Sequence, residues 1–170
     1  MGSSNGQKLS TLQDLFVDQI QDLYDAENRL IDAIPKMAEA ASSKELKTAF
    51  DSHLEETRQH VNRLEAVFKG LECEPKRKAC EAMKGLIREG DEILKADGDP
   101  LVKDAGLIAA AQRVEHYEMA GYGSARNFAK QIGKQDLADI LQETLDEEGN
   151  ADKKLTQIAT EITNSAAAQA

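Results

Sequence analysis

The stretch "LYDAENRLIDAI", residues 23–34, has the pattern of an amphipathic helix that carries an acid on its apolar face. Leu23, Leu30 and Ile34 recur at steps of seven and four residues, which places them on one side of a helix. Glu27 lies in the middle of the same stripe. Because an isolated carboxylate in a dry core is very unfavourable, it must be neutralised or find a partner. The stretch therefore predicts a helix that faces a buried polar site.

Similar apolar stripes divide the rest of the chain into helices. Long helices are predicted at about 10–41, 42–69, 99–132 and 135–163. Capping boxes are expected to begin the first two, formed by Ser10 with Gln13 and by Ser42 with Glu45. Pro35 is expected to bend the first helix, because its ring removes a hydrogen-bond donor and crowds the preceding turn.

The remaining boundaries are predicted from glycine and proline. Gly70 and Gly133 occupy the position that commonly ends a helix, and Asp99 with Pro100 forms a typical start. Residues 71–99 have mixed charges and several glycines, and they are expected to form a crossover that contains a short helix at about 77–96.

Two antiparallel helix pairs joined by one long crossover predict an all-α fold, namely a ferritin-like up-down-down-up four-helix bundle. The bundle is expected to span residues 10–163, between a disordered lead-in at 1–9 and a frayed tail at 164–170. No apolar run reaches the ~18 residues that a membrane helix needs, and the start lacks the apolar core of a signal peptide. These features predict a cytoplasmic protein without a membrane partner.

The formal net charge of −10 argues against nucleic acid as a partner, because an acidic protein repels phosphate backbones. Cys73 and Cys80 are seven residues apart, which matches no zinc-binding spacing. The acidity is compatible with metal cations, although most of it is expected to lie on a solvated surface.

Each long helix carries acid near its midpoint. The candidates are Glu27, Glu56, Glu115 with Glu118, and either Glu147 or Glu148, of which the apolar stripe favours Glu147. The spacing from Glu27 to Glu56 is 29 residues, as is that from Glu118 to Glu147, so that all four helices are expected to place an acid at one depth. Two divalent cations would balance four buried carboxylates.

The second helix adds imidazoles to this set. In "HLEETRQH", His53, Glu56 and His60 follow one another at steps of three and four residues and share one face. The spacing departs from the Glu-x-x-His motif of di-iron bundles, since Gln59 follows Glu56 at the third place. An oxygen-rich site favours hard metal ions, with iron as the first expectation and manganese as the second.

The segments "HLEET", "EAMKGLI", "DAGLIAAAQRVEHYEMAGYG" and "ETLDEE", in this order, resemble the YciF/YciE family of bacterial stress-response proteins over about residues 10–160. The resemblance implies a rubrerythrin-like four-helix fold with an extra helix in the crossover, and a homodimer. Carried over by position, it implies metal ligands at Glu27, Glu56, Glu115, Glu118 and Glu147. Among the histidines it favours His53 over His60.

Three functions are compatible with these residues. The first is a di-metal, ferroxidase- or peroxidase-like protein that reacts with oxygen or peroxide under stress. The second is a structural stress protein in which a bound metal stabilises the bundle. The third is an iron-storing cage or a DNA-coating shell, and the acidity argues against the DNA-coating role.

Overall fold

The computed structural model describes residues 9–167, and it confirms the all-α class. Five helices follow one another along the chain: α1 (Leu12–Ala40), α2 (Lys44–Gly70), α3 (Glu81–Lys95), α4 (Pro100–Gln131) and α5 (Gln135–Ala167). The four long helices form the bundle, and α3 is the short helix expected in the crossover. Within the described residues, no helix is both long enough and apolar enough to cross a membrane.

Side-chain contacts establish that neighbouring helices are antiparallel. On α2 and α5, Glu45 pairs with Lys154 near one end of the bundle, whereas Arg63 pairs with Glu147 nearer the other. The other helix pairs show the same antiparallel order. For α1 and α2, Tyr24 contacts Glu65 and Glu27 contacts His60. For α4 and α5, Gln112 contacts Asp152 and Arg126 contacts Gln142, and for α1 and α4, Ser42 contacts Asp104 and Leu23 lies against Gly121. This is the up-down-down-up arrangement that the sequence predicts.

The helix starts differ from the predicted capping boxes by one residue. Thr11, rather than Ser10, caps α1, and its hydroxyl accepts a hydrogen bond from the Asp14 amide while the Asp14 carboxylate accepts one from the Thr11 amide. Ser43, rather than Ser42, caps α2 and accepts from the Leu46 amide. The predicted boxes were wrong because an adjacent residue of the same type occupies the cap.

The other boundaries follow the sequence more closely. Asp99 accepts hydrogen bonds from two amides of the first turn of α4, and Gly133 has a φ of +77° directly after that helix ends. Pro35 lies inside α1, which continues to Ala40. Helix α5 extends through Ala167, so that the tail predicted to fray from residue 164 is helical up to there. Residues 1–8 and 168–170 of the predicted termini lie outside the described residues.

The crossover is attached to α1 by a buried acid. Asp25 accepts hydrogen bonds from Arg29 and Arg77 and from the backbone amide of Cys80, the residue that caps α3. Burial alone would raise the pKa of Asp25, but these donors lower it. The network fixes the start of α3 against the bundle.

The apolar interior consists of two clusters at the two ends of the bundle. One contains Phe16, Leu64 and Leu141, and the other contains Ile34, Phe50 and Leu155. Each long helix contributes to both clusters. Between them, at mid-height, every long helix turns polar side chains inward, and this polar layer holds the candidate site.

We expect Asp104→Ala to lower the free energy of unfolding by about 2 kcal/mol, because two amide donors lose their charged acceptor. Asp104 is fully buried, and its carboxylate accepts from the amides of Ser42 at 2.9 Å and Ser43 at 2.7 Å. Urea unfolding followed by circular dichroism measures the change. Asp97→Ala, at an exposed position before α4, is the control and should have little effect; equal stabilities of the two variants would contradict this role of Asp104.

Candidate metal centre

Six ionisable side chains from all four long helices meet in the polar layer. They are Glu27 from α1, His53 and His60 from α2, Glu115 and Glu118 from α4, and Glu148 from α5. All six are buried, and His53 is the most accessible at 8%. Each helix presents these groups at steps of three, four or seven residues from its buried apolar residues, which is why they face the same interior.

The six side chains form two groups that share one carboxylate. His53, Glu115, Glu118 and Glu148 make the first group, and Glu27, His60 and Glu148 make the second. Within each group, one ligand-type atom per residue lies within 4.8 Å of all the others. Such an arrangement could hold two neighbouring cations with Glu148 between them.

Each imidazole directs one nitrogen into this layer. Nε2 of His53 lies 3.3 Å from Oε1 of Glu115 and 3.7 Å from Oε2 of Glu148. Nδ1 of His60 lies 3.0 Å from Oε1 of Glu148 and 3.3 Å from Oε1 of Glu27. The interior therefore brings nitrogen and oxygen atoms together at the spacing expected around a metal ion.

Burial and mutual repulsion set the ionisation of the acids. Burial, reinforced by neighbouring carboxylates, raises the pKa of Glu115 and of Glu118 well above the usual range. Burial also raises the pKa of Glu27. It would do the same to Glu148, but His60 and His53 lower the pKa of that carboxyl to about 2. Glu148 is thus the acid best able to stay ionised without metal.

For the two imidazoles, burial and the neighbouring carboxylates act on the pKa in opposite directions. Burial would lower the pKa of His60, but the carboxylates of Glu148 and Glu27 raise it to about 11. Burial likewise opposes protonation of His53, whereas Glu56 and Glu148 raise its pKa. The layer attracts positive charge strongly, whether as protons or as metal cations.

Several buried atoms of this layer form no hydrogen bond within the described part of the chain. They include both oxygens of Glu118 and of Glu148, Oε2 of Glu27 and of Glu115, Nε2 of His53 and Nδ1 of His60. Buried polar groups normally have a hydrogen-bonding partner, so a set of unsatisfied atoms that converge on one place requires an explanation. Carboxylate oxygens and imidazole nitrogens are ligands of iron, manganese and zinc, and this donor set fits two such ions.

Glu27 accepts a hydrogen bond from a tyrosine at the edge of this layer. The hydroxyl of the fully buried Tyr122 donates to Oε1 of Glu27. Burial and the nearby acids raise the pKa of Tyr122 well above its usual value. Tyr122 therefore remains a neutral donor that holds the Glu27 carboxylate in place.

Five of the seven predicted site residues lie in the layer: Glu27, His53, His60, Glu115 and Glu118. The structure does not bring Glu56 and Glu147 into it. The Glu56 side chain is 43% exposed, because Thr57 occupies the inward position between the two histidines. The Glu147 side chain is 33% exposed and pairs with Arg63.

Glu148, the alternative to Glu147, is the acid of α5 that points inward and is fully buried. It lies seven residues after Leu141 and seven before Leu155, both of which are buried. That heptad spacing is the sequence signal that favours Glu148. The apolar stripe predicted from the sequence passed through Glu147 instead. It therefore placed the wrong one of these two adjacent acids on the inward face of α5.

A cavity of about 720 Å³ opens between α2 and α5 and reaches the layer. Its walls include Ala49, Phe50, Ala151 and Leu155, and His53, Glu56 and Glu115 lie along it. Glu27, His60 and Glu148, the residues of the second group, do not line it. The cavity thus leads to one of the two groups, the one that contains His53.

The fold and the site together define a class of protein: an all-α bundle with an extra helix in its crossover and, in its interior, His/Glu clusters that could hold metal ions. The chain belongs to the family described as domain of unknown function 892 (DUF892), whose family model matches residues 11–168. The predicted resemblance to YciF proteins is confirmed. Protein YciF of Escherichia coli strain K12 is 42% identical over 157 residues, which cover 92% of this chain and 95% of that protein.

Solved structures agree with this assignment. The crystal structure of the E. coli stress protein YciF matches with a TM-score of 0.89, covering 92% of this chain and 99% of that one. YcfI from Rhodopseudomonas palustris, for which a structural role has been suggested, is 39% identical with a TM-score of 0.86, covering 91% and 98%. A protein from Xanthomonas campestris pv. campestris is 20% identical with a TM-score of 0.74 over 94% and 98%, and it supports the fold alone.

Proposed function

We propose that this protein is a di-metal carboxylate protein of the bacterial stress response. Iron is the preferred metal and manganese is the second choice. With metal bound, the protein would react with oxygen or peroxide in the cytoplasm. The observation that carries the proposal is the set of four buried carboxylates and two imidazoles, most of whose inward atoms lack a hydrogen bond. In the described part of the chain, the ion pairs of these carboxylates involve only histidine.

Charge balance favours two dications. Glu27, Glu115, Glu118 and Glu148 carry four negative charges when ionised, and two divalent cations carry four positive charges. Neutral imidazoles complete the ligand set without changing that balance. Glu148 would contact both ions, while His53, Glu115 and Glu118 would hold one and His60 and Glu27 the other.

The chemistry that bound iron supplies is electron transfer: two Fe(II) ions supply the two electrons that reduce a peroxide O–O bond. The protein contributes ligands of fixed geometry and excludes bulk water on the His60 side. On the His53 side, the cavity between α2 and α5 gives small molecules a route to the ligands. An oxygen-dependent ferroxidase-like reaction and a peroxidase-like reaction both fit this arrangement.

Anaerobic loading with Fe(II) tests the proposal. Elemental analysis after desalting should give two iron atoms per chain. Addition of one equivalent of hydrogen peroxide should then oxidise the bound iron faster than free Fe(II) at the same concentration, as seen by stopped-flow absorbance and Mössbauer spectroscopy. Absence of bound iron and manganese would refute metal binding, and bound iron that is inert to both oxidants would refute the redox reaction.

We expect Ala151→Leu to slow the oxidation of bound Fe(II), because the added side chain narrows the cavity beside His53 and Glu115. The expected decrease is roughly tenfold with a bulky organic hydroperoxide, equivalent to about 1.4 kcal/mol of activation free energy, and smaller with hydrogen peroxide. Ala82→Leu, at an exposed position on α3, is the matched control and should react as the wild type does. Equal slowing in both variants would contradict entry through this cavity.

A structural role is the second candidate, and the suggested structural role of the R. palustris relative supports it. Ions bound by side chains from all four long helices would cross-link the bundle, and their binding energy would appear as folding energy. In that case metal would raise the melting temperature while peroxide consumption stayed at the level of free metal.

We further propose that the protein forms a homodimer, as the family resemblance implies. Size-exclusion chromatography with light scattering should give about twice the chain mass of 18.6 kDa. A much larger assembly would instead support the iron-storing cage.

A further inference from the structure

Both imidazoles of α2 place their two ring nitrogens in opposite environments. The inner nitrogens, Nε2 of His53 and Nδ1 of His60, face the buried carboxylates. The outer nitrogens each meet a carboxylate outside the layer. Nδ1 of His53 lies 3.2 Å from Oε2 of Glu56, and Nε2 of His60 lies 2.9 Å from Oε2 of Glu147.

A protonated ring must give up one proton before it can bind a cation, and an outer carboxylate favours retention of the proton on the nitrogen beside it. A neutral imidazole has one N–H donor and one nitrogen lone pair. An ionised carboxylate can only accept a hydrogen bond, so its neighbour nitrogen carries the proton. The lone pair is then on the opposite nitrogen, which in both rings is the one directed into the layer.

We propose that Glu56 and Glu147 are positioning residues, which hold His53 and His60 in the tautomers that bind metal through Nε2 and Nδ1, respectively. This inference rests on the proposed metal binding. It gives a role to two acids that the sequence predicts as ligands and that the structure places outside the ligand groups. Carboxylates that accept a hydrogen bond from a ligating histidine fix its orientation and increase its basicity.

The two positioning residues differ in how firmly they are held. Both oxygens of Glu147 accept hydrogen bonds from the Arg63 guanidinium, and Nη2 donates to Oε1 at 2.8 Å. The same guanidinium donates weakly to the hydroxyl of Thr144 at 3.4 Å. Glu56 has 43% of its side chain exposed and borders the open cavity. The tautomer of His60 is consequently fixed more strongly than that of His53.

Removal of the Glu147 carboxylate should weaken metal binding without removing a ligand. For Glu147→Leu, we expect the dissociation constant of the site that contains His60 to rise about 10- to 100-fold. Glu147→Gln should recover part of the affinity, because its amide oxygen still accepts a hydrogen bond. Glu143→Leu is the matched control: Glu143 is 67% exposed, contacts Nε of Arg63 at 3.4 Å, and lies one helical turn before Glu147.

The experiment uses the full chain labelled with ¹⁵N-histidine and loaded with Zn(II), which is diamagnetic. Long-range ¹H–¹⁵N spectra identify the metal-bound and protonated nitrogens of each ring, and competition with a chromophoric chelator gives the dissociation constants. In the wild type, His53 should be bound through Nε2 and His60 through Nδ1. His116, whose side chain is 67% exposed and which pairs with Asp152, provides the spectrum of an unbound ring.

The outcomes separate this inference from the proposed function. If the wild type binds no Zn(II), metal binding itself fails and the inference fails with it. If Zn(II) binds but His60 coordinates through Nε2, or Glu147→Leu binds as tightly as Glu143→Leu, only the inference is overturned. Should Glu147→Leu fail to fold, the nitrogen assignment in the wild type and the affinity of Glu147→Gln still decide it.

Discussion

Glu148→Gln is expected to abolish stable binding of both metal ions, whereas Glu115→Gln should abolish only one. Glu148 is the residue that both ligand groups share, so its amide replaces a charged ligand at two places at once. The change also leaves each group with fewer negative charges to balance a dication. We expect elemental analysis after loading and dialysis to give two ions per chain in the wild type and fewer than about 0.5 in Glu148→Gln, an affinity loss of more than ~100-fold.

Glu147→Gln is the control for this experiment, because it changes the adjacent acid of the same helix. It should keep two ions at saturating metal, with one bound more weakly. Circular dichroism should show an intact fold for Glu148→Gln, since the substitution is nearly isosteric. Retention of two tightly bound ions by Glu148→Gln would show that the two groups do not depend on a common ligand.

The stability of the protein is expected to depend on pH in opposite directions with and without metal. In the metal-free protein, the pKa values of Glu27, Glu115 and Glu118 are raised. The folded state therefore retains protons that the unfolded chain releases above about pH 4.5. Because its pKa is about 11, His60 in the folded state likewise retains a proton that the unfolded chain releases between about pH 6.5 and pH 11. Stability therefore falls as pH rises through these ranges.

Glu148 acts in the other direction at low pH. Because its pKa is about 2, ionised Glu148 contributes its full share of the folding free energy above about pH 4.5, and this contribution is lost as the pH falls towards 2. The metal-free protein should therefore be most stable at about pH 4.5, because the contribution of Glu148 is lost below that pH and those of Glu27, Glu115 and Glu118 are lost above it. Metal ions compete with protons for the same ligands, so that the metal-loaded protein should gain stability from pH 6 to 8.

The expected size of the metal-free effect is large. One additional proton retained by the folded state changes the free energy of unfolding by about 1.4 kcal/mol per pH unit, or about 3 kcal/mol between pH 6.5 and 8.5. For a chain of this length, this corresponds to a decrease of about 6–12 °C in melting temperature. Thermal unfolding of chelator-treated and Mn(II)-loaded protein at pH 5.5, 7.0 and 8.5 measures both trends.

Two variants test which groups are responsible. Glu118→Gln replaces a protonated acid by a neutral amide and should make the metal-free profile shallower. Glu143→Gln, at a side chain that is 67% exposed, should leave it unchanged. Identical profiles for the metal-free and metal-loaded wild type would contradict the link between this layer and metal.

Apolar periodicity was sufficient to predict the five helices and their order, because long amphipathic segments have a strong signal. The helix starts were less accurate, since adjacent serine and threonine residues such as Ser10 and Thr11 can both act as caps. The predicted end of α5 at about residue 163 is earlier than the observed one, because an alanine-rich segment that continues a helix resembles a tail in sequence.

For the site, the general location was predictable and the identity of two acids was not. Glu27, Glu115 and Glu118 interrupt clear apolar stripes, so their burial followed from the pattern. Adjacent residues on a helix point about 100° apart, and a small error in the stripe exchanges Glu148 for Glu147. Glu56 is exposed because Thr57 takes the inward position on α2. The equal spacings of 29 residues favoured Glu56 as an inward acid and gave no indication that Thr57 is the buried residue.

The polar layer also divides the hydrophobic interior into two parts, so that each long helix passes through two separately packed halves. Apolar contact alone does not unite them, because a layer of buried polar groups, several of which lack a hydrogen bond, separates the two apolar clusters. Ions that bridge all four helices at this height would turn two weakly coupled halves into one cooperative folding unit. Metal supply would then determine how much of the chain unfolds at once as well as how tightly it is held.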